Sequence, residues 1–183
     1  GGRYGDLAFF DQLKQSKEPL ISPPLQGRRT GAPVLTIAQP IRTPEGRFVG
    51  AVLGVTNLHE PNFLAQVGSS KYGRTGDFMV TDIRSRVYVA SSDKRRVMQA
   101  GPAAGVNAVY DRYIDGYEGS GVAVSSRGVE ELSSSVKIGT TGWLMQSVLP
   151  TSEAFLVVRQ MQHRLLAWAV GLKYSAGFTR PWP

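Results

Sequence analysis

The chain has no cysteine among its 183 residues, which excludes disulfides and thiol catalysis and is compatible with an oxidising compartment. It has only two histidines, His59 and His163, far apart and with no acidic cluster around either, so no metal site is expected. No nucleophile elbow, phosphate-binding loop, dinucleotide fingerprint or histidine–acid pair occurs. The chain is therefore expected to be neither an enzyme nor the holder of a cofactor. The apolar run "LLAWAVGL" near the C-terminus is about half the roughly 20 residues that span a bilayer. The start, "GGRYGDLAFF", lacks both an initiator methionine and a signal-peptide pattern, and reads as a cut from something longer.

What is present is ample core material and a basic excess. Hydrophobic residues make up 42%, enough for one generous domain or two small ones. Lysine and arginine outnumber acids 21 to 14, for a net charge of +7. The basic residues are dispersed, as in "GRR" at 27–29 and "DKRR" at 93–96, and no recognition helix or RNA-binding aromatic motif accompanies them. A solvated basic face is expected, and no nucleic-acid partner.

The periodicity predicts strands. "VLTIAQPI" at 34–41 and the segment returning to Leu58 flank a turn at Pro44, Glu45 and Gly46, a hairpin in which proline fixes φ and glycine supplies positive φ. "HEPNFLAQVGSS" predicts a short helix with Pro61 near its first turn, ended by Gly68 and two serines. A second hairpin is predicted in "GDFMVTDIRSRVYVAS", turning near Arg84 and Ser85. A loop-rich span, 92–117, leads to three strand candidates at 120–126, 129–138 and 142–150. Two strands, an irregular crossover and three antiparallel strands are the order of a PAS-like sandwich. Thr151 reads as the N-cap of a long exit helix with Glu153 in its first turn.

Three long segments carry a family likeness: "FFDQLKQSKEPLISPPLQGRRTGAPVLTIAQPIRTPEGRFVGAVLGVTNL", "YGRTGDFMVTDIRSRVYVASSDKRRVM" and "GVNAVYDRYIDGYEGSGVAVSSRGVEELSSSVKIGTTGWLMQSVLPTSEAF". Over residues 7–158 the chain resembles the double-Cache sensor domains of bacterial transmembrane signalling proteins, most of all those ahead of GGDEF diguanylate cyclase modules. No GGDEF-type sequence occurs in the chain itself. The resemblance implies an α+β fold: PAS-like (Cache) antiparallel five-stranded sheets with flanking helices, in two units, the first incomplete at its N-terminus. The units would be membrane-distal 1–68 and membrane-proximal 69–150, followed by an exit helix at 151–172 and a tail at 173–183. It implies a periplasmic sensor of an inner-membrane receptor, with a diguanylate cyclase as the expected output. A histidine kinase, a chemoreceptor or a stand-alone PAS-like dimerisation module are the alternatives, and a homodimer stays open.

Double-Cache domains that bind amino acids resemble one another in a pocket motif of arginine, aromatic and acidic positions. Laid on this chain, the motif meets Leu7 for the arginine, Phe9 for the aromatic, Leu25 and Gly27 for tyrosine and aspartate, and Thr56 for the last aspartate. With the ammonium-binding acids missing, the expected ligand is a small anion or neutral metabolite and not a free amino acid. The candidate contacts are Tyr4, Phe9, Phe10, Arg28, Arg29, Gln39 and Thr56, with Arg28 or Arg29 on the anionic group. In the second unit, Asp93 is open to capping a turn or pairing with Arg95 or Arg96, and Asp111 to pairing with Arg112 or another neighbour. Glu130 and Glu131, adjacent on a strand, should face opposite sides, and Trp143 should be core. The fallback location for a ligand is the second unit, around Tyr88, Asp93 and Tyr110.

Overall fold

A computed structural model describes residues 8–27, 31–156 and 158–166. The first helix, α1 (Ala8–Gln15), buries Leu13 completely and pairs Asp11 with Lys14 one turn later at 3.0 Å. Its C-terminal carbonyls have no helical partner and are met by a cation. Arg42 donates to the carbonyls of Lys14 and Ser16, its Nη2 lying 2.6 Å from the latter.

Four strands follow: β1 (Leu20–Ile21), β2 (Leu25–Gln26), β3 (Pro33–Arg42) and β4 (Phe48–Asn57). β4 pairs antiparallel along nearly the whole of β3, so the two short strands share β3's other edge. The turn between β3 and β4 is as the sequence predicts. Gly46 takes φ 88° and donates its N–H to the Thr43 carbonyl at 2.8 Å. A register shift between Ile41 and Arg42 is a bulge at the end of the ladder, beside the arginine that reaches α1.

The second sheet has six strands: β5 (Lys71–Tyr72), β6 (Gly76–Asp82), β7 (Val87–Ser91), β8 (Gly119–Val124), β9 (Glu130–Ile138) and β10 (Trp143–Pro150). The spatial order is β7, β6, β10, β9, β8, all antiparallel, with the two-residue β5 extending the β7 edge. The five long strands are the expected PAS-like set. The extra strand, β5, is too short to show a period-2 pattern in the sequence.

Helix α2 (Ala65–Ser69) begins later than Pro61, which lies in the preceding turn. Asn62 makes the difference: its Nδ2 donates to the carbonyls of Asn57 and Glu60, and its Oδ1 accepts the Leu64 N–H, holding residues 57–64 in a compact non-helical turn. The crossover contains a 3₁₀ turn (Lys94–Arg96) and α3 (Ala108–Ile114). Helix α4 (Thr151–Ala154) starts one residue earlier than predicted. Thr151 is its first residue, not its cap, and its buried hydroxyl donates to Glu130 Oε2 at 2.7 Å. Residues 158–166 are again helical. No helix among the described residues is long and apolar enough to cross a membrane.

The core lies between the sheets. Leu35 of β3 joins Leu58, Leu64, Val80, Val89, Ala90 and Trp143 in one buried cluster, so one face of the second sheet is sealed against the first unit. Because side chains alternate along a strand, Met79 and Val148 leave that cluster and point to the opposite face with Tyr88. That second face is where polar groups gather.

Candidate functional site

The second face of the β5–β10 sheet, with the 3₁₀ turn, the following loop and α3 over it, forms a partly open cavity of about 40 Å³. Its floor is Met79, Tyr88, Glu131, Ser133, Gln146 and Val148; its roof includes Arg96, Pro102, Asn107, Tyr110 and Tyr113. A water needs roughly 10–15 Å³ of such space, so the cavity is wet in scale.

A strand irregularity aims Tyr88 inward. The β6–β7 register shifts between Val80 and Thr81, so that Val80 faces Ala90 while Thr81 faces Tyr88. Val89 is the extra residue. A regular ladder would bring Val89 opposite Thr81 and turn Tyr88 toward the apolar cluster, so the bulge assigns the tyrosine to the cavity side.

The roof is fixed by capping and charge. Asn107 accepts the Tyr110 N–H at 2.9 Å as the N-cap of α3 and donates to the Val124 carbonyl at 3.3 Å. Asp111 in the first turn accepts the Gly105 N–H at 2.8 Å and pairs with Arg86, not Arg112, which lies over the Tyr117 ring. Both contacts hold the Asp111 carboxyl below the usual range, the Gly105 N–H contributing most. Tyr113 is anchored through its hydroxyl to the Ser133 carbonyl at 3.0 Å.

Asp93 both caps the 3₁₀ turn and chelates Arg95, at 2.9 and 3.0 Å. That leaves Arg96, 9% exposed, without a carboxylate within salt-bridge distance among the described residues. Its guanidinium lies 5.0 Å from the centre of the Tyr88 ring, and its Nη1 has no hydrogen-bond partner. The hydroxyls of Tyr110 and Ser125 are likewise buried and unpartnered. Thr81 is near Tyr110, but its hydroxyl is directed at Gln146 Oε1, 3.4 Å away. Burial pushes the Tyr110 phenol up to about 12, so it remains a proton donor at neutral pH. Glu131, facing the cavity, accepts from Arg127 at 3.0 Å, while Glu130 points away toward Thr151, the two-sided placement expected of neighbours on a strand. Among the described residues no cluster of histidine and acid could hold a metal.

Of the seven residues read from the sequence as ligand contacts, four are described by the structure. Phe9 and Phe10 are half-buried on α1, Phe10 meeting Phe48 edge-on at 6.0 Å. Gln39 and Thr56 share one face of the first sheet, Gln39 exposed with its amide on the Pro40 carbonyl, Thr56 opposite Leu35. None of these four lines the cavity. Tyr4, Arg28 and Arg29 lie outside the described residues. Tyr88 and Tyr110 of the fallback location do line it, whereas Asp93 serves the turn. Arg96, Ser125, Glu131 and Gln146 were not singled out as contacts. In the sequence only Arg96 carried a signal, as one of two arginines beside a single aspartate.

A family model described as "Cache domain" matches residues 4–158. No curated protein matches. Among solved structures, the extracellular domain of the histidine-kinase candidate mmHK1S-Z3 is similar, with a TM-score of 0.70 at 15% identity, covering 86% of this chain and 58% of that one. The ligand-binding domain of Mlp24 with asparagine gives 0.61 at 18%, covering 86% and 61%. The ligand-binding domain of the Pseudomonas aeruginosa PAO1 amino acid chemoreceptor PctC with GABA gives 0.57 at 17%, covering 81% and 63%. The chain thus spans less than two thirds of each of these structures. Two of them hold free amino acids, which overturns the expectation that a free amino acid is excluded. That exclusion rested on missing acids at Gly27 and Thr56 in the first unit, whereas this chain carries a cavity-facing carboxylate, Glu131, in the second.

Proposed function

The chain belongs to the Cache domain family, and from that premise we propose that it senses a small molecule for a bacterial transmembrane receptor, with the ligand seated in the second-unit cavity. Cache domains of this kind are extracytoplasmic ligand-binding modules of receptors, not catalysts. The observation that carries the reading is the set of buried, unpartnered polar atoms of Arg96, Tyr110 and Ser125 beside one cavity. Polar groups hidden from water without partners cost free energy, and in native proteins they mark a missing water, ion or ligand.

Binding would favour one of two arrangements of the second sheet, and the helix from Thr151 would carry the difference toward the membrane. A ligand shifts that balance only by its differential affinity for the two states. For the output, the sequence likeness favours a diguanylate cyclase, while the structural neighbours include a chemoreceptor and a histidine-kinase candidate. The division at residue 68 into distal and proximal units, and the periplasmic location, belong to the same proposal.

A thermal-shift screen with amino acids, carboxylates, sugars and nucleosides tests it. Ligand that binds only the native state adds RT ln(1 + [L]/Kd), about 2.7 kcal/mol at a hundredfold excess over Kd. At least one compound should raise Tm by several degrees; silence across the panel at millimolar concentration rejects the reading.

A further inference from the structure

Resting on that reading, the geometry points to a specific chemistry for the second-unit cavity: Arg96, assisted by the hydroxyls of Tyr110 and Ser125, binds the carboxylate of a small ligand. Three observations converge. The Arg96 side chain is nine-tenths buried, lines the cavity and has no carboxylate partner among the described residues, although Asp93 stands three positions upstream and is taken by Arg95. A guanidinium so placed is costly to hide, because the Tyr88 ring offsets only part of its desolvation; an incoming carboxylate supplies the charged partner it lacks. Tyr110 and Ser125 line the same cavity and their hydroxyls have no partner, and donors without acceptors are what a carboxylate's several lone pairs require.

The backbone holds the arginine in readiness. Met98, just after the 3₁₀ turn, takes φ 70°, a left-handed conformation unusual for its side chain. Its N–H donates to the Tyr88 carbonyl at 2.9 Å and the Gln99 N–H to the Arg96 carbonyl at 2.9 Å, closing the turn onto β7. Strain of this kind persists where the surroundings over-determine it, and here it stitches the arginine's turn to the strand carrying the ring beneath the guanidinium.

The cavity is small and partly open to solvent, which suits a small ligand. A simple carboxylate and an amino acid share the group that Arg96 would hold. They differ at the other end, where an ammonium would be met by Glu131.

The test is calorimetric titration of the chain, wild type and four variants, with acetate, glycine and asparagine as probes and acetamide and methylamine as controls. Wild type should bind at least one carboxylate probe and neither control. Arg96→Met should weaken that probe about ten- to hundredfold, the range for losing one charged hydrogen bond, while unfolding no more easily than wild type, since a buried unpaired charge has been removed. Tyr110→Phe and Ser125→Ala should weaken it about three- to tenfold each and keep the proposal testable should Arg96→Met fail to fold. Binding of glycine or asparagine without acetate, lost in Glu131→Gln, would support the assignment with an amino acid as the source. Equal carboxylate affinity in well-folded Tyr110→Phe, Ser125→Ala and Arg96→Met would overturn it while leaving the sensor reading intact. So would a wild type that binds only neutral compounds from the wider screen. Absence of any binding would reject both.

Discussion

The Arg74 N–H donates to Glu153 Oε1 at 2.6 Å across 79 residues of sequence, with the neighbouring Thr75 N–H on the other carboxylate oxygen at 3.0 Å. The carboxylate on the first turn of the exit helix thus sits against the backbone of the β5–β6 turn. A Cβ at Gly73 would come within 2.6 Å of the Glu153 carboxylate, so a larger residue there would have to push that side chain off the turn.

These contacts, the Thr75 hydroxyl first, hold the Glu153 carboxyl below its ordinary value. A depressed folded value means stability that is fully present above the unfolded value and is lost as pH falls through the folded one. Glu153→Gln should lower Tm at pH 7, and the gap from wild type should narrow steadily below the usual carboxylate range. Thermal melts from pH 7 to pH 3 check this; a gap that does not change with pH would show that the carboxylate's charge is irrelevant.

Gly101→Ala should disturb the cavity roof. A Cβ there would lie 2.3 Å from the Tyr110 hydroxyl and 3.3 Å from the Arg86 carbonyl. Overpacking of this kind costs about 1–3 kcal/mol. Gly139→Ala, with open space around it, serves as a control expected within about 0.5 kcal/mol of wild type. Urea denaturation of the pair distinguishes a local clash from a general intolerance of alanine.

Asn107→Ala removes the cap of α3 and the bond to the Val124 carbonyl together, for a loss of about 1–2 kcal/mol. Asn107→Asp keeps the capping acceptor but has no donor for Val124, and should fall between the two. If aspartate proves as damaging as alanine by equilibrium unfolding, the link to β8 matters more than the cap.

Leu35→Ala opens a hole in the cluster that joins the two sheets, and a fully buried leucine costs about 2–5 kcal/mol to truncate. Since Leu35 belongs to the first sheet and its neighbours Val80 and Trp143 to the second, the loss should also erode cooperativity. Unfolding followed separately by tryptophan fluorescence and by far-UV circular dichroism should give coincident transitions in wild type and separated ones in the variant.

The long strands were legible because their signals are local. β3, β4 and β6 to β10 each alternate or run apolar between polar or glycine-bearing breaks, and each lies within about two residues of its sequence-based range. The cavity was legible only as a neighbourhood, through Tyr88 and Tyr110; the rest of its lining is drawn from positions 79 to 148 and depends on facing, not on spacing. Whether Asp93 takes Arg95 or Arg96 depends on which arginine the turn buries, and only the fold decides that. The register shift at Val80 and Thr81 is equally silent: an alternating run through "RVYVAS" reads the same with or without one extra residue. Arg28 and Arg29 stand out in the sequence because they are adjacent and near aromatics, whereas Arg96 gains its character only when the fold parts it from Arg95.

Strand β10 ends at Pro150 and helix α4 begins at Thr151, with no intervening residue. The same strand presents Trp143 and Met145 to the seam with the first unit and Gln146 and Val148 to the cavity. In the sensor proposed above it would serve as a drawbar: anchored at one side, loaded by the ligand at the other and joined end-on to α4. A slide of β10 would then pass directly to Thr151. A flexible insertion at the Pro150–Thr151 joint should therefore silence the output of the full-length receptor while leaving ligand affinity untouched.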